Sequence, residues 1–265
     1  MSTTGTVRKP EERVFEDPHH WERQRVHGDE IGRVDYTASL IPEGVSDLLD
    51  LGCGGGLFLN RLAEKGRFRR LVGIDRSEAA LEMVTTEKFS GEIERLPFQD
   101  REFDMVSALE VLEHLSLDSF ESVKREMCRV SREYLLVSVP NDEKLEDLFL
   151  RCPQCHTLYH PYNHKRTFRT LNDLFDREPF RLVREELYHL DRKPLLRGEL
   201  RFLLGKKRPF PGTACPVCGL YTLSEGEGSF SNGRVTPLRV LLEGVWPKRK
   251  RFRWIIALFR REKKA

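Results

Sequence analysis

Two residue patterns in this 265-residue chain have the type and spacing to do chemistry. The first is sulfur. Four of the six cysteines stand in two C-x-x-C turns, Cys152-Pro153-Gln154-Cys155 and Cys215-Pro216-Val217-Cys218-Gly219. Each turn presents two thiolates, and two turns supply the four ligands of a tetrahedral zinc site. The spacing between them is too long for a compact finger. His156 and His160 lie close enough in sequence to replace a cysteine, and two separate redox or unliganded pairs are the plain alternative. Cys53 and Cys128 read as ordinary buried thiols. The second pattern is the run Asp50-Leu51-Gly52-Cys53-Gly54-Gly55-Gly56, followed about 20 residues later by Asp75. Glycines let a backbone turn sharply and approach a ligand with no Cβ in the way. An acid placed like Asp75 can accept both hydroxyls of a ribose. A purely structural turn competes with this reading. A nicotinamide site fits less well, because that pattern prefers G-x-G-x-x-G and no hydride chemistry is in sight.

These residues need elements to hold them. Asp47–Leu51 reads as a short buried strand and residues 57–65 as a helix stopped by Gly66. Arg70–Ile74 is a second strand. A helix begins at Ser77, with Ala80, Leu81 and Val84 on one face. Phe103–Leu109 is a strand, 119–130 a helix, and Glu133–Val139 an apolar strand ending at Pro140. Thr170–Phe175 reads as helical, 180–190 as a strand and 253–259 as the last strand. Residues 21–40 carry a weak helical pattern. Strands alternating with helices at this spacing imply a mostly parallel sheet covered on both faces. The stretch 191–250 is too long for a plain connection and must hold structure of its own.

Composition narrows the class. Hydrophobic residues make up 39% and charged ones 33%, which suits a soluble globular chain. The net charge of +3 argues against a heavily basic nucleic-acid binder. From Pro247 onward there are nine Lys/Arg and one Glu, so the remaining body is net acidic. Lys248-Arg249-Lys250-Arg251 and Arg260-Arg261 read as charged flanks of an apolar strand. RNA or an anionic surface is the competing use, but no aromatic residues are interleaved for stacking. No run of about 18 apolar residues is present and the first twelve residues lack the apolar core of a signal peptide, so a cytoplasmic protein is expected.

Several stretches in order resemble the class I S-adenosylmethionine-dependent methyltransferases. They are the Asp50–Gly56 turn, Val72-Gly73-Ile74-Asp75, Glu92-Ile93-Glu94-Arg95-Leu96-Pro97-Phe98, Phe103-Asp104-Met105-Val106 and Glu110-Val111-Leu112-Glu113-His114. The resemblance covers most of 40–190 and the final strand. It implies an α/β fold, a doubly wound Rossmann-like sheet, mostly parallel with an antiparallel last strand, to which the cysteine turns add a small zinc-knuckle insertion. It also implies S-adenosyl-L-methionine as cofactor. Asp50, Gly52, Cys53, Gly54 and Gly56 would hold its methionine end and Asp75 its ribose. Arg76, Glu92 and Ile93 would meet the adenine, Glu92 standing where the family often has Asp. Leu109 and Glu110 would face the methionyl end.

Methyl transfer from a sulfonium is an in-line displacement, so the protein mainly aligns donor and acceptor. An acceptor hydroxyl also needs a group that takes its proton. Glu110, Glu113, His114 and His164 are the candidates, and helical spacing would bring Glu110 near both Glu113 and His114. A packing role for His114 and a pocket-lining role for His164 are the plain alternatives. The E-x-x-E-H arrangement also looks like that of small-RNA 2′-O-methyltransferases and ubiquinone-pathway O-methyltransferases, where it binds a divalent metal, and His164 could supply a further ligand. The expected organisation is a leader and cap helix over 1–40, a methyltransferase domain over 41–190 and 251–265, and zinc-stabilised insertions over 151–165 and 191–250 forming a lid over the acceptor pocket. The expected acceptor is a small molecule (a sugar, glycan precursor or secondary metabolite) methylated on oxygen. An RNA 2′-O-methyltransferase and a non-catalytic cofactor-binding scaffold are the alternatives. Oligomeric state is open.

Overall fold

The computed structural model describes residues 14–194, 213–222 and 248–262. A seven-stranded sheet runs in the order β3-β2-β1-β4-β5-β11-β8. Its strands are β1 (Asp47–Leu51), β2 (Arg70–Asp75), β3 (Glu87–Ser90), β4 (Phe103–Leu109), β5 (Ser131–Pro140), β8 (Phe180–Pro194) and β11 (Lys248–Arg261). β1 pairs in parallel with β2 and β4, β2 with β3, and β4 with β5. β11 lies antiparallel on β5, with Trp254 opposite Pro140 and Phe259 opposite Leu135. The chain order reverses between β1 and β4, and in open α/β sheets ligands bind at the carboxyl edge beside such a reversal.

Both faces of the sheet are buried, which explains the nearly continuous apolar strands. Leu49, Leu51, Leu135, Val137, Val139, Ile255, Ala257 and Phe259 face one core with Phe120, Val123 and Met127 of α5 (Leu117–Val130). Leu48, Leu136, Ile256 and Leu258 face the other. There they meet Val34 and Ala38 of α2 (Gly28–Ser39) and Phe58, Leu59 and Leu62 of α3 (Leu57–Ala63). The two-residue period of each strand decides which core a side chain enters.

The elements differ from the sequence reading in instructive places. The weak pattern over 21–40 is two helices, α1 (Pro18–Val26) and α2, separated at His27. The helix after Ser77 is short, α4 (Glu78–Leu81), with the Ser77 hydroxyl accepting from the Ala80 N–H. Residues 170–175 form no helix: 170 and 171 are irregular and turns begin at 172. Thr170 Oγ1 accepts from the Asn172 N–H and donates to Glu185, and this local bonding replaces helical bonding in a segment too short to propagate. The basic run Lys248–Arg251 is strand, not flank, since β11 begins at Lys248.

The chain divides into two units. The larger comprises 15–143, 164–189 and 254–265 and contains both cores. The smaller comprises 1–14, 144–163 and 190–253. It contains two short hairpins, β6 (Leu150–Arg151) with β7 (Leu158–Tyr159), and β9 (Thr213–Ala214) with β10 (Tyr221–Thr222). Among the described residues no helix is long and apolar enough to cross a membrane.

Candidate active site

At the carboxyl end of β1 the backbone N–H groups of Gly52 and Cys53 both donate to the Ile74 carbonyl, at 2.8 and 3.2 Å, which locks the glycine turn onto β2. Gly54 and Gly56 sit in left-handed conformations, φ 51° and 73°, that a side chain would strain. Gly56 is the residue from which α3 starts. β2 ends in Asp75, whose two carboxylate oxygens accept from the Gly54 N–H at 2.9 Å and the Ser77 N–H at 2.8 Å. Burial raises the Asp75 carboxyl above its usual range, against the pull of these two hydrogen bonds. Asp50 is 3% exposed and accepts the Ser107 hydroxyl at 2.6 Å, its register partner on β4. Burial pushes the Asp50 carboxyl up to about 7, with the Ser107 bond pulling it down and neighbouring Asp75 pushing it up. The buried thiol of Cys53 points toward Gly73, where an added Cβ would meet its sulfur at 2.6 Å. That contact makes Cys53 a packing residue of the turn.

An aromatic strap lies on the turn. A Cβ placed on Gly54 would stand 2.3 Å from the Trp21 ring, so the indole occupies the space the missing side chain leaves. Trp21 Nε1 and the Ser77 hydroxyl both donate to the Phe15 carbonyl, at 2.8 and 2.6 Å. The Phe15 ring meets His114 edge-on at 5.7 Å. A nucleoside entering the turn must therefore displace or restack Trp21. Binding is expected to change tryptophan fluorescence, and a Trp21→Phe variant is expected to lose most of that change. A W21F signal equal to that of the parent protein would place Trp21 away from the ligand.

The acidic motif after β4 is not a continuous helix. Glu110 has φ 59°, a strained left-handed backbone for a non-glycine residue, and only Leu112–His114 forms a 3₁₀ turn. This geometry gives the two glutamates different surroundings. Glu110 accepts the Ser138 hydroxyl at 2.9 Å and Trp254 Nε1 at 3.0 Å. Arg33 donates to Ser138 at 3.1 Å and to Glu30 at 2.8 Å, so Glu110 belongs to a buried polar network on α2, β5 and β11. Burial opposes the charge on Arg33, but Glu110 and Glu30 more than offset it and hold the guanidinium firmly protonated.

Glu113 is the opposite case. It is 1% exposed, and neither carboxylate oxygen has a hydrogen-bond partner among the described residues. Burial first, then the charge of Glu110, raises its carboxyl well above the usual range. His114 Nε2 lies 4.0 Å away. The His114 and His164 rings meet edge-on at 4.8 Å, and His164 Nδ1 pairs with Glu143. The Lys165 N–H donates to the Glu113 carbonyl at 2.7 Å and fastens the His164 segment to the turn. Ligand atoms of Glu113, His114 and His164 lie within 4.8 Å of one another, a set that could hold a divalent cation, and Glu110 is outside it. The expectation from helical spacing, with Glu110 beside Glu113 and His114 as one ligand set, is corrected by the left-handed backbone at Glu110.

The remaining expected residues are dispersed. Leu109 ends β4 and is half-buried, Arg76 is half-buried after β2, and Glu92 is exposed with no helix or strand around it. Ile93 packs partly against the α5-side core. Arg33, Ser138, Trp254, Trp21, Phe15 and Glu143 were not foreseen as site residues. The one local signal was Arg33, a cation on the same helical face as Val34, Thr37 and Ala38.

Comparison with known proteins follows the same lines. Residues 49–134 match the methyltransferase domain family. Over 95 residues the chain is 37% identical to the ubiquinone biosynthesis O-methyltransferase of Alkalilimnicola ehrlichii, a match covering 31% of this chain and 37% of that protein. The chain thus spans little more than a third of that relative's length. Among solved structures, the complex of the Haloferax volcanii Trm112 methyltransferase activator with its methyltransferase aligns at TM-score 0.57 and 14% identity, covering 97% of this chain and 100% of that chain. A SAM-dependent methyltransferase from Thermotoga maritima aligns at TM-score 0.54 and 16% identity, covering 95% and 99%. These structural likenesses concern the fold.

Proposed function

Because this chain carries a class I S-adenosylmethionine-dependent methyltransferase domain, we propose that it transfers a methyl group from S-adenosylmethionine to an oxygen of a small-molecule acceptor. The carrying observation is the meeting, at one sheet edge, of a glycine turn with the buried carboxylate of Asp50, the half-buried carboxylate of Asp75 and a buried carboxylate, Glu113, with no hydrogen-bond partner among the described residues.

The donor set suits the cofactor. Asp75 offers oxygens to the ribose hydroxyls, and the turn it braces lets a nucleoside approach the backbone once Trp21 moves aside. Asp50 and the turn face the methionine end, where an α-ammonium would favour the ionised carboxylate. Arg76 and Ile93 are assigned to the adenine side. The cofactor supplies an electrophilic methyl on a sulfonium. The chain aligns the acceptor and handles its proton. Glu113 in its ionised form and His164, the latter oriented by Glu143, are the residues that take it, and the raised Glu113 carboxyl moves its share of that step to higher pH. Glu110 positions the motif through Ser138 and Trp254 and is not assigned proton transfer. The orphaned Glu113 oxygens, with His114 and His164, also fit a divalent cation, which would acidify an acceptor hydroxyl. Transfer of labelled methyl to a small-molecule fraction of cell extract tests the reading. Label found in RNA or protein alone would overturn the acceptor class.

The raised Asp50 carboxyl has a signed consequence. Its folded value of about 7 exceeds the ordinary 3.8. The folded chain therefore keeps a proton that the unfolded chain loses, and this contribution to stability is present below about pH 4 and lost as pH rises toward 7, at roughly 1.4 kcal/mol per pH unit. An Asp50→Asn variant is expected to flatten that decline in denaturant titrations across the window. Cofactor binding, which favours the ionised form, is expected to release a proton below pH 7 and to tighten up to that pH. Calorimetry in buffers of different ionisation enthalpy measures the release, and equal heats in all buffers at pH 6 would contradict the assignment.

A further inference from the structure

We propose that Cys152, Cys155, Cys215 and Cys218 bind one zinc ion, and that this ion replaces a hydrophobic core for the two hairpins of the smaller unit. Nothing in the methyl-transfer reading depends on it.

The four sulfurs lie within 4.8 Å of one another. The closest pairs cross between turns, Cys152 Sγ to Cys218 Sγ and Cys155 Sγ to Cys215 Sγ, both at 3.5 Å. A zinc tetrahedron with metal–sulfur bonds of about 2.3 Å has sulfur–sulfur edges of roughly 3.8 Å, so these spacings suit ligands of one ion. They are far from the disulfide length of about 2.05 Å.

The two turns repeat each other. The Cys152 N–H donates to the Thr157 carbonyl at 2.9 Å, and the Cys215 N–H to the Leu220 carbonyl at 2.9 Å. The His156 N–H donates to the Cys152 carbonyl at 3.0 Å, and the Gly219 N–H to the Cys215 carbonyl at 3.0 Å. His156 and Gly219 both take left-handed backbones, φ 60° and 71°. Each turn is thus the same knuckle, an incoming strand, two thiols and a left-handed residue that returns the chain to the outgoing strand. His156 serves as that return residue, and the four sulfurs gather without it, so neither His156 nor His160 is needed as a ligand.

The hairpins lack the means to stand alone. Their strands are two residues long, and among the described residues their buried apolar cluster is Leu150, Cys152, Tyr159 and Cys215, with Leu220 partly buried against it. Cys152 and Cys215 are fully buried at its centre, while Cys155 and Cys218 are partly exposed. Beyond sulfur, a 3.3 Å hydrogen bond from the Tyr159 hydroxyl to Thr213 joins the hairpins. Hairpins of this size are marginal in water without an external staple.

The test uses the full-length protein, purified reduced and loaded with cobalt as a spectroscopic substitute for zinc. One equivalent of tightly held zinc is expected by elemental analysis, and cobalt is expected to give the visible bands of a tetrahedral tetrathiolate. Zinc is expected to shield four thiols from a thiol reagent until a chelator is added. Chelation is then expected to open both 150–159 and 213–222 to protease together. Cys218→Ser is expected to shift the cobalt bands and His156→Ala to leave them unchanged. Absence of both retained zinc and a cobalt spectrum in the unmutated protein would overturn the proposal. So would disulfides 152–218 and 155–215 found by mass spectrometry of protein kept under reductant.

Discussion

Replacing Asp75 by alanine is expected to weaken S-adenosylmethionine binding at least a hundredfold and to abolish detectable methyl transfer, while the protein stays folded. Two losses combine. The ribose loses an anionic acceptor, and a hydrogen bond to a charged group contributes about 1.5–3 kcal/mol. The Gly54 and Ser77 N–H groups also lose their acceptor, which loosens the turn, although the Ile74 carbonyl still holds Gly52 and Cys53. Asp75→Asn keeps the shape and one carbonyl oxygen and is expected to fall between the two. Equilibrium dialysis, with melting curves as a control for folding, separates these outcomes. Near-normal binding by D75A would show that the nucleoside sits elsewhere.

The second large effect is expected at Glu113. Exchange for glutamine preserves volume and removes the group assigned to the acceptor proton. Methyl transfer is expected to fall at least a hundredfold, in line with the roughly 10²–10⁴ attributed to general acid–base groups, with cofactor affinity changed less than about threefold. Stability supplies an independent readout. A buried carboxyl with no hydrogen-bond partner costs free energy when ionised, so E113Q is expected to be at least as stable as the parent at pH 8. A merely structural glutamate would do the reverse and lose stability on replacement. Glu110→Gln differs again, because one amide oxygen cannot serve both Ser138 and Trp254 as the carboxylate does. That variant is expected to lose stability as well as activity.

The strands that matter most to the site were legible because burial on both sheet faces writes itself as nearly continuous apolar runs, as in Leu48–Leu51, broken by Asp50, and Leu135–Val139, broken by Ser138. The glycine turn and Asp75 were legible because their spacing is set by one strand–helix–strand unit. β3 was missed, since an edge strand of four residues with Phe89 as its apolar member carries little pattern. The left-handed backbone at Glu110 was invisible too. Its position in Glu-Val-Leu-Glu-His suits a helix, and tertiary contacts with Ser138 and Trp254 select otherwise. For the same reason Arg33 could not be placed, because its partner Ser138 lies 105 residues away. The cysteine turns were individually plain in sequence. Their convergence is a long-range contact that spacing alone does not specify, and their ordered environment covers residues 144–163 and 213–222. All of 195–212 and 223–247 lie outside the described residues, and with them much of the predicted insertion over 191–250.

The account rests on the glycine turn of β1 receiving the nucleoside of a sulfonium cofactor, and titration calorimetry of the full-length protein with S-adenosylmethionine tests this most directly. One molecule per chain is expected to bind, with heats lost in Asp75→Ala and a proton released below pH 7. No saturable heat from the unmutated protein, or an isotherm that D75A leaves unaltered, would contradict it.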